Sequence, residues 1–225
     1  MESTNLISKF SGISEIYQYP LFKKKNQHVT DTPRNFIKDK LNLEVNEDPE
    51  IQIDEELNSE WIRKFQINKN EMNILFGVGG SGPTKRIPAK TFLSVMDKIS
   101  KIKKCNFFLA AGKNIEEQNI IREILESRYK NYCIPLDNLS IKDTLPIIKK
   151  CNLSVCNDSS FSHLSAALGI KTITLMADTP LIYGNYSSKM FPIIPDGEQT
   201  VTHDTLGKEK NKPHKTYNKI LEIIN

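Results

Sequence analysis

From residue 73 onward the apolar positions alternate between short β-prone runs and longer stretches with helical spacing. The runs predict strands over 74–78, 107–111, 132–134, 153–156 and 172–176. Between them the pattern predicts helices over about 89–101, 116–129 and 161–168. A further helix is opened by the capping spacing Ser140-x-x-Asp143, with Pro146 kinking it or delaying its start. Strand and helix in strict alternation predict an α/β protein, a parallel sheet with helices on both faces. Ligands of such sheets bind beyond the carboxyl ends of the strands. The polar stretch 196–215 reads as a long loop, and Tyr217, Ile220, Leu221 and Ile224 mark a final amphipathic helix. No internal repeat occurs.

The first part of the chain has a different pattern, and we place a boundary between 1–68 and 69–225. A strand is predicted over 15–19, followed by the basic tract Lys23-Lys24-Lys25. That tract is either a solvated loop or an attraction point for an anionic acceptor or membrane surface. A helix should start at Thr32-Pro33, with proline at its first position, and turn Phe36, Ile37 and Leu41 inward. Beyond an acidic segment, Ile51-Gln52-Ile53 alternates like a small strand. Asp54 then caps a helix whose apolar face is Leu57, Trp61, Ile62 and Phe65.

The most informative stretch is VCNDSSFSHLSAALG. A β-prone run stops at Asn157-Asp158-Ser159-Ser160, and a helix follows that ends at Gly169. Asp and Ser are helix-capping residues, and glycine supplies the left-handed stop. A helix N-terminus with free N–H groups and partial positive charge suits phosphate. His163 falls on the same face of the first turn, three residues after Ser160. Hydroxyls, amides and a potential cation therefore converge, as a diphosphate site requires. A satisfied core histidine is the competing reading of His163. Asp158, Ser159, Ser160 and His163 also invite a hydrolase reading. There is no G-x-S-x-G elbow, however, and triad members come from separate segments.

Gly77-Val78-Gly79-Gly80-Ser81-Gly82 matches G-x-G-x-x-G after a strand. That fingerprint needs a helix opening at its third glycine, whereas Pro83 and Pro88 follow here. A phosphate-binding Walker loop is also excluded, because Gly82 precedes Pro83-Thr84. What remains is an amide-rich loop ending in Lys85-Arg86, able to lie against phosphates with Lys85 as a point charge. Glu116, in AAGKNIEE after the second strand, is either a helix-dipole partner or an acceptor for two ribose hydroxyls. No D-x-D and no metal-ligand spacing appears, so no metal and no cofactor is expected.

The overall composition, 225 residues with 38% hydrophobic and 26% charged, is that of an ordinary globular protein. A net charge of +4 favours anionic ligands. No basic stripe interleaves with aromatics, so no nucleic-acid partner is expected. Cys105, Cys133, Cys151 and Cys156 form no C-x-x-C pair and read as buried reduced thiols. No signal-peptide pattern and no run of about 20 apolar residues occurs. A cytoplasmic protein is expected.

In their order, ILFGVGGSGPTKRIP, FFLAAGKNIEE and LSIKDTLPIIKKCNLSVCNDSSFSHLSAALGIKTITLMADTP resemble the C-terminal domain of glycosyltransferase family 9, the heptosyltransferases of bacterial lipopolysaccharide assembly. The resemblance implies the GT-B fold, two Rossmann-like halves of which 69–225 would be the donor-binding one. It implies that Gly80, Ser81 and Lys85 approach the donor diphosphate and that Glu116 holds the nucleoside ribose. Asp158, Ser159, Ser160 and His163 would surround diphosphate and sugar, with Thr179 of the 177–180 loop beside them. It further implies inverting, metal-independent transfer from a nucleotide-diphosphate donor of ADP-heptose type to a lipopolysaccharide or other glycan or lipid-linked acceptor. Lys85 and His163 would be the catalytic groups, neutralising the leaving diphosphate. Ile87 stands where the family pattern has tryptophan, and Ser160 where it has glycine. Family members begin with a strand and a Gly-Asp loop bearing the catalytic carboxylate, a pattern not found here. Residues 1–68 are thus expected to be a truncated acceptor-side remnant, so that the chain is a fragment, a degraded relative, or a split gene product completed by a separate polypeptide, working in the cytoplasm or at the cytoplasmic face of the inner membrane. The competing class is a non-catalytic nucleotide-sugar-binding or partner subunit, with a nicotinamide dehydrogenase a distant third.

Overall fold

A computed structural model describes residues 12, 15–17, 28–46, 48–54, 60, 63–65, 67–68 and 70–225. The chain divides into two compact units, Met1–Glu47 and Asp48–Asn225. The division falls before Ile51 and Ile53, whereas the hydrophobic pattern suggested one near residue 68. Ile51, Ile53 and Phe65 pack against a core of the second unit.

In the first unit, α1 spans Asp31–Leu41. Pro33 is its third residue, not its first, and Asp31 begins the helix by accepting the His28 amide at 3.1 Å. The helix buries no residue: Phe36 and Ile37 are half-buried and Leu41 is exposed, so the expected inward face is weaker than its spacing suggested. Asn42 ends it in the left-handed conformation, φ 54°, with its amide on Lys38 O. Glu15, Ile16 and Tyr17 form no strand. Gln18, Tyr19 and the Lys23–Lys25 tract lie outside the described residues.

The second unit holds a six-stranded, wholly parallel sheet: β1 Met72–Gly77, β2 Cys105–Ala110, β3 Cys133–Pro135, β4 Leu153–Asn157, β5 Thr172–Leu175 and β6 Met190–Ile193. Their order is β3-β2-β1-β4-β5-β6. Among the described residues, the helices that accompany it with complete bounds are α2 Ala89–Ile99, α3 Ile115–Leu125, α4 Ile141–Ile148, α5 Ser160–Ala167 and α6 Pro213–Ile224. Ser140 caps α4 through the Asp143 amide, and Pro146 is accommodated inside the helix.

Each central strand is buried on both faces, as a sheet covered on both sides demands. Ile74, Phe76, Phe107, Leu109, Leu153, Val155, Ile173 and Leu175 face one core with Phe92, Met96 and Ile220. Phe76 stacks on Phe107 at 5.3 Å. Leu75, Phe108, Ala110 and Cys156 face the other core with Ile147, Ile148 and Leu168. All four cysteines are buried and free. Burial pushes the Cys105 thiol up to about 11 and those of Cys133 and Cys156 to about 12, so none is a ready nucleophile.

Three features differ from the sequence pattern. β6 was not predicted, because Pro192 interrupts a four-residue run, and proline is tolerated there because β6 is an edge strand. The 196–215 segment is not wholly loop, since α6 already starts at Pro213. Ile51 and Ile53 alternate half-buried with exposed Gln52 and Asp54 but form no ladder; the Ile51 amide instead donates to Ala167 O at 2.8 Å. Of the helix expected after Asp54, Leu57, Trp61 and Ile62 lie outside the described residues.

Candidate functional site

The sheet order reverses between β1 and β4, and a crevice opens beyond the strand ends at such a switch point. The loops after β1 to β5, with His203 from the segment after β6, line one cleft of about 750 Å³ there. Gly80, Ser81, Lys85, Asp158, Ser159, Ser160, His163 and Thr179, predicted from separate motifs, all line it. Glu116 is not among the lining residues.

The loop after β1 is shaped by close approach. A Cβ on Gly77 would meet Cys156 Sγ at 2.6 Å, and one on Gly79 would meet Glu117 Oε2 at 2.3 Å. At Gly82, the third glycine of the fingerprint, the nearest atom lies at an ordinary 3.7 Å and no helix begins. The fingerprint is therefore coincidental in its last position. Asn157, at the end of β4, donates to Val78 O at 2.8 Å and Gly79 O at 3.2 Å, tying the loop to the switch point. Buried Arg86 holds the loop from beneath, donating to Gly80 O at 3.0 Å and pairing with Glu116.

That pairing turns Glu116 toward Arg86, on the exposed side of α3. The carboxylate in the cleft wall is its neighbour, Glu117, which accepts the Gly112 amide at 2.6 Å and faces Arg86 Nε at 3.8 Å. The available sequence signal was the Asn114-x-x-Glu117 spacing, in which the third residue of a helix folds back on the preceding chain.

Lys85 crosses the cleft to Asp158, Nζ to Oδ2 2.8 Å. Asp158 was expected to cap α5, but Ser159 occupies the cap position and no side chain caps the first turn. Asp158 instead has Lys85 on one oxygen and His163 Nε2 at 4.0 Å from the other. The Ser159 hydroxyl is buried with no hydrogen-bond partner among the described residues. Helix α5 packs on the sheet through the small buried residues Ser162, Ser165 and Ala166, which keeps its N-terminus close over the end of β4.

The sequence offered His163 either as a potential cation or as a satisfied core histidine. Burial lowers its pKa below the usual histidine value and nearby Lys85 adds to this, while Asp158 opposes. The ring is therefore held toward its neutral form. Its Nδ1 lies 2.8 Å from Tyr186 Oη, a contact no motif foretold. Thr179 is buried and donates to Asp178 Oδ1 at 3.2 Å. Leu136, Leu139 and Ile141, after β3, supply an apolar wall at the opposite end of the cleft from Thr179 and His203. Among the described residues no group of three or more His, Cys, Asp or Glu is placed to hold a metal ion.

A parallel sheet in this order, with an amide- and cation-lined cleft at its switch point, is an α/β arrangement of Rossmann-like kind. The sequence model of glycosyltransferase family 9 (heptosyltransferase) matches residues 8–216, and the chain belongs to that family. Lipopolysaccharide heptosyltransferase 1 of Campylobacter coli is 28% identical over 218 residues, covering 82% of this chain and 62% of the relative. Among solved structures, a family 9 glycosyl transferase from Veillonella parvula superposes with TM-score 0.71 at 16% identity, over 91% of this chain and 62% of that one. The E. coli heptosyltransferase WaaC with ADP gives 0.67 at 17% identity, over 88% and 57%. The chain thus spans about three fifths of the length of these relatives. The fold is the Rossmann-like layer of a GT-B glycosyltransferase.

Proposed function

We propose that the cleft binds the nucleoside diphosphate of a sugar donor, and that the protein transfers the sugar, of ADP-heptose type, to a glycan or lipid-linked acceptor such as lipopolysaccharide. The observation that carries this reading is the convergence of Lys85, the uncapped start of α5 and His163 on one space beyond β1 and β4. Lys85 is a point charge for a phosphate oxygen, and the amides of the helix start add oriented partial charge. The unpartnered Ser159 hydroxyl and His163 supply further donors. The apolar wall of Leu136, Leu139 and Ile141 suits a base, and the Gly112–Glu117 corner suits a ribose.

In transfer, the diphosphate gains charge as the bond to the sugar breaks. Donors already aimed at it lower that barrier without reorganising. Because protein groups meet this charge, the proposed reaction needs no metal and no cofactor. Inversion follows when an acceptor hydroxyl, relieved of its proton by a base, attacks from the face opposite the diphosphate. An acceptor anchored in lipid would place this chemistry at the cytoplasmic face of the inner membrane. Among the described residues no helix is long and apolar enough to cross it.

Calorimetry of the whole chain with ADP, in the presence of a chelator, tests the reading. Saturable binding is expected. No binding in either the presence or the absence of magnesium would overturn the nucleotide reading, and binding only with magnesium would overturn the metal-free part. Mass spectrometry after incubation with labelled donor and a lipopolysaccharide-core acceptor tests transfer. Product appearing only when a second polypeptide is added would assign the acceptor's base to that partner.

A further inference from the structure

Tyr186 lies between the short turn Leu181–Tyr183 and β6, outside every motif with recognisable chemistry. Its ring stacks on His163 with centroids 5.6 Å apart and planes 14° from parallel. Its hydroxyl is 2.8 Å from Nδ1. The segment that carries it is tethered by Asp48, whose Oδ2 accepts from Ser187 Oγ at 2.8 Å and from the Ser188 amide at 3.0 Å. The groups facing His163 are Tyr186 on one ring nitrogen and, around the other, Asp158 with Lys85 behind it.

A neutral imidazole carries one N–H, and the bond made by one nitrogen decides what the other offers. With the proton on Nδ1, the bare lone pair of Nε2 would face the Asp158 carboxylate at 4.0 Å, an arrangement of like polarity. With the proton on Nε2, the N–H points toward that carboxylate and Nδ1 accepts from the tyrosine hydroxyl. We propose that Tyr186 is a positioning residue: it holds His163 in the Nε2–H tautomer, with its ring plane pinned, so that the cleft presents an N–H to a diphosphate oxygen. The ligand half of this inference rests on the proposed nucleotide site, and the tautomer half stands on the geometry alone. The neutral state favoured by burial is what makes the tautomer the property to control.

The experiment is long-range proton–nitrogen NMR of the whole chain labelled with ¹⁵N-histidine at pH 8, with His163 assigned by its loss in His163→Gln. The wild type should show a protonated Nε2 and an unprotonated Nδ1. Tyr186→Phe keeps the stacked ring and loses the hydroxyl, so the His163 signals should move toward a mixture of tautomers. Its ADP affinity should fall about three- to tenfold, the worth of one hydrogen bond. An Nδ1–H tautomer in the wild type, or an unchanged His163 spectrum in Tyr186→Phe, overturns the positioning role. An altered tautomer with unchanged ADP affinity overturns its bearing on the ligand. Failure of the wild type to bind ADP at all overturns the nucleotide reading instead, and is recognisable because the spectra do not depend on ligand.

Discussion

Lys85 reaches Asp158 across the cleft, so the loop's cation is partnered before a ligand arrives. A diphosphate must draw Lys85 away from a buried carboxylate, and what it gains is a charge-assisted hydrogen bond. Lys85→Ala should therefore weaken ADP about ten- to a hundredfold, measured by calorimetry. It should also leave the buried Asp158 carboxylate without its cation and lower the melting temperature. His163 gives a prediction with a definite pH direction. Its folded-state pKa is depressed, so the unfolded chain takes up a proton first as pH falls. Its contribution to stability is complete above its unfolded pKa of about 6.5 and is lost as pH drops through the lower folded value. Denaturation curves at pH 7.5 and 5.5 should show wild type losing more stability than His163→Gln over that interval. Sequence reasoning placed both side chains at the cleft but did not show that Lys85 is paired with Asp158 or that burial disfavours the charged form of His163, because both depend on tertiary packing.

The β1 loop and helix α5 are the two elements that make the cleft, and each is fixed by small residues. A methyl at Gly79 would strike Glu117 Oε2, a carboxylate already committed to the Gly112 amide, with the Ala111 backbone behind it. Gly79→Ala should cost about 1–3 kcal/mol by overpacking and weaken ADP as well, read by urea denaturation and titration. Gly184→Ala meets only the flexible Met176 side chain and should be milder. The elements with strong local signals were legible in the sequence: β1, β2, β4 and β5 as apolar runs, α4 by its capping box, α5 by its position after a polar knot. β6 was hidden because a strand's identity at a sheet edge comes from its neighbour, here β5, and Pro192 masks its own propensity. Glu116 and Glu117 were not separable by type; both pair with Arg86, and only the turn of α3 decides that Glu117 enters the cleft wall while Glu116 stays on the exposed side.

At the scale of the molecule, both hydrophobic cores are built from residues after Glu47. A fragment comprising 48–225 should fold by itself, with a cooperative melt and ADP affinity within about threefold of the whole chain, the difference expected when no hydrogen bond is lost. Loss of the melt on this truncation would place part of the folding energy in the first unit. The alternation of strands and helices made the sheet legible in the sequence, and the polar knot after β4 and the lysine loop after β1 made much of the cleft's lining legible. The division near residue 47 was not, since Ile51 and Ile53 join the larger core through contacts far along the chain. The Lys85–Asp158 pair carries a consequence for the solution around the protein. Once phosphate draws Lys85 from Asp158, the nearby carboxylate and the new negative charge both favour a protonated His163. Nucleotide binding should then draw protons from the buffer near pH 7. The calorimetric enthalpy of ADP binding should differ between HEPES and Tris, whose ionisation heats differ, and that difference should shrink in His163→Gln.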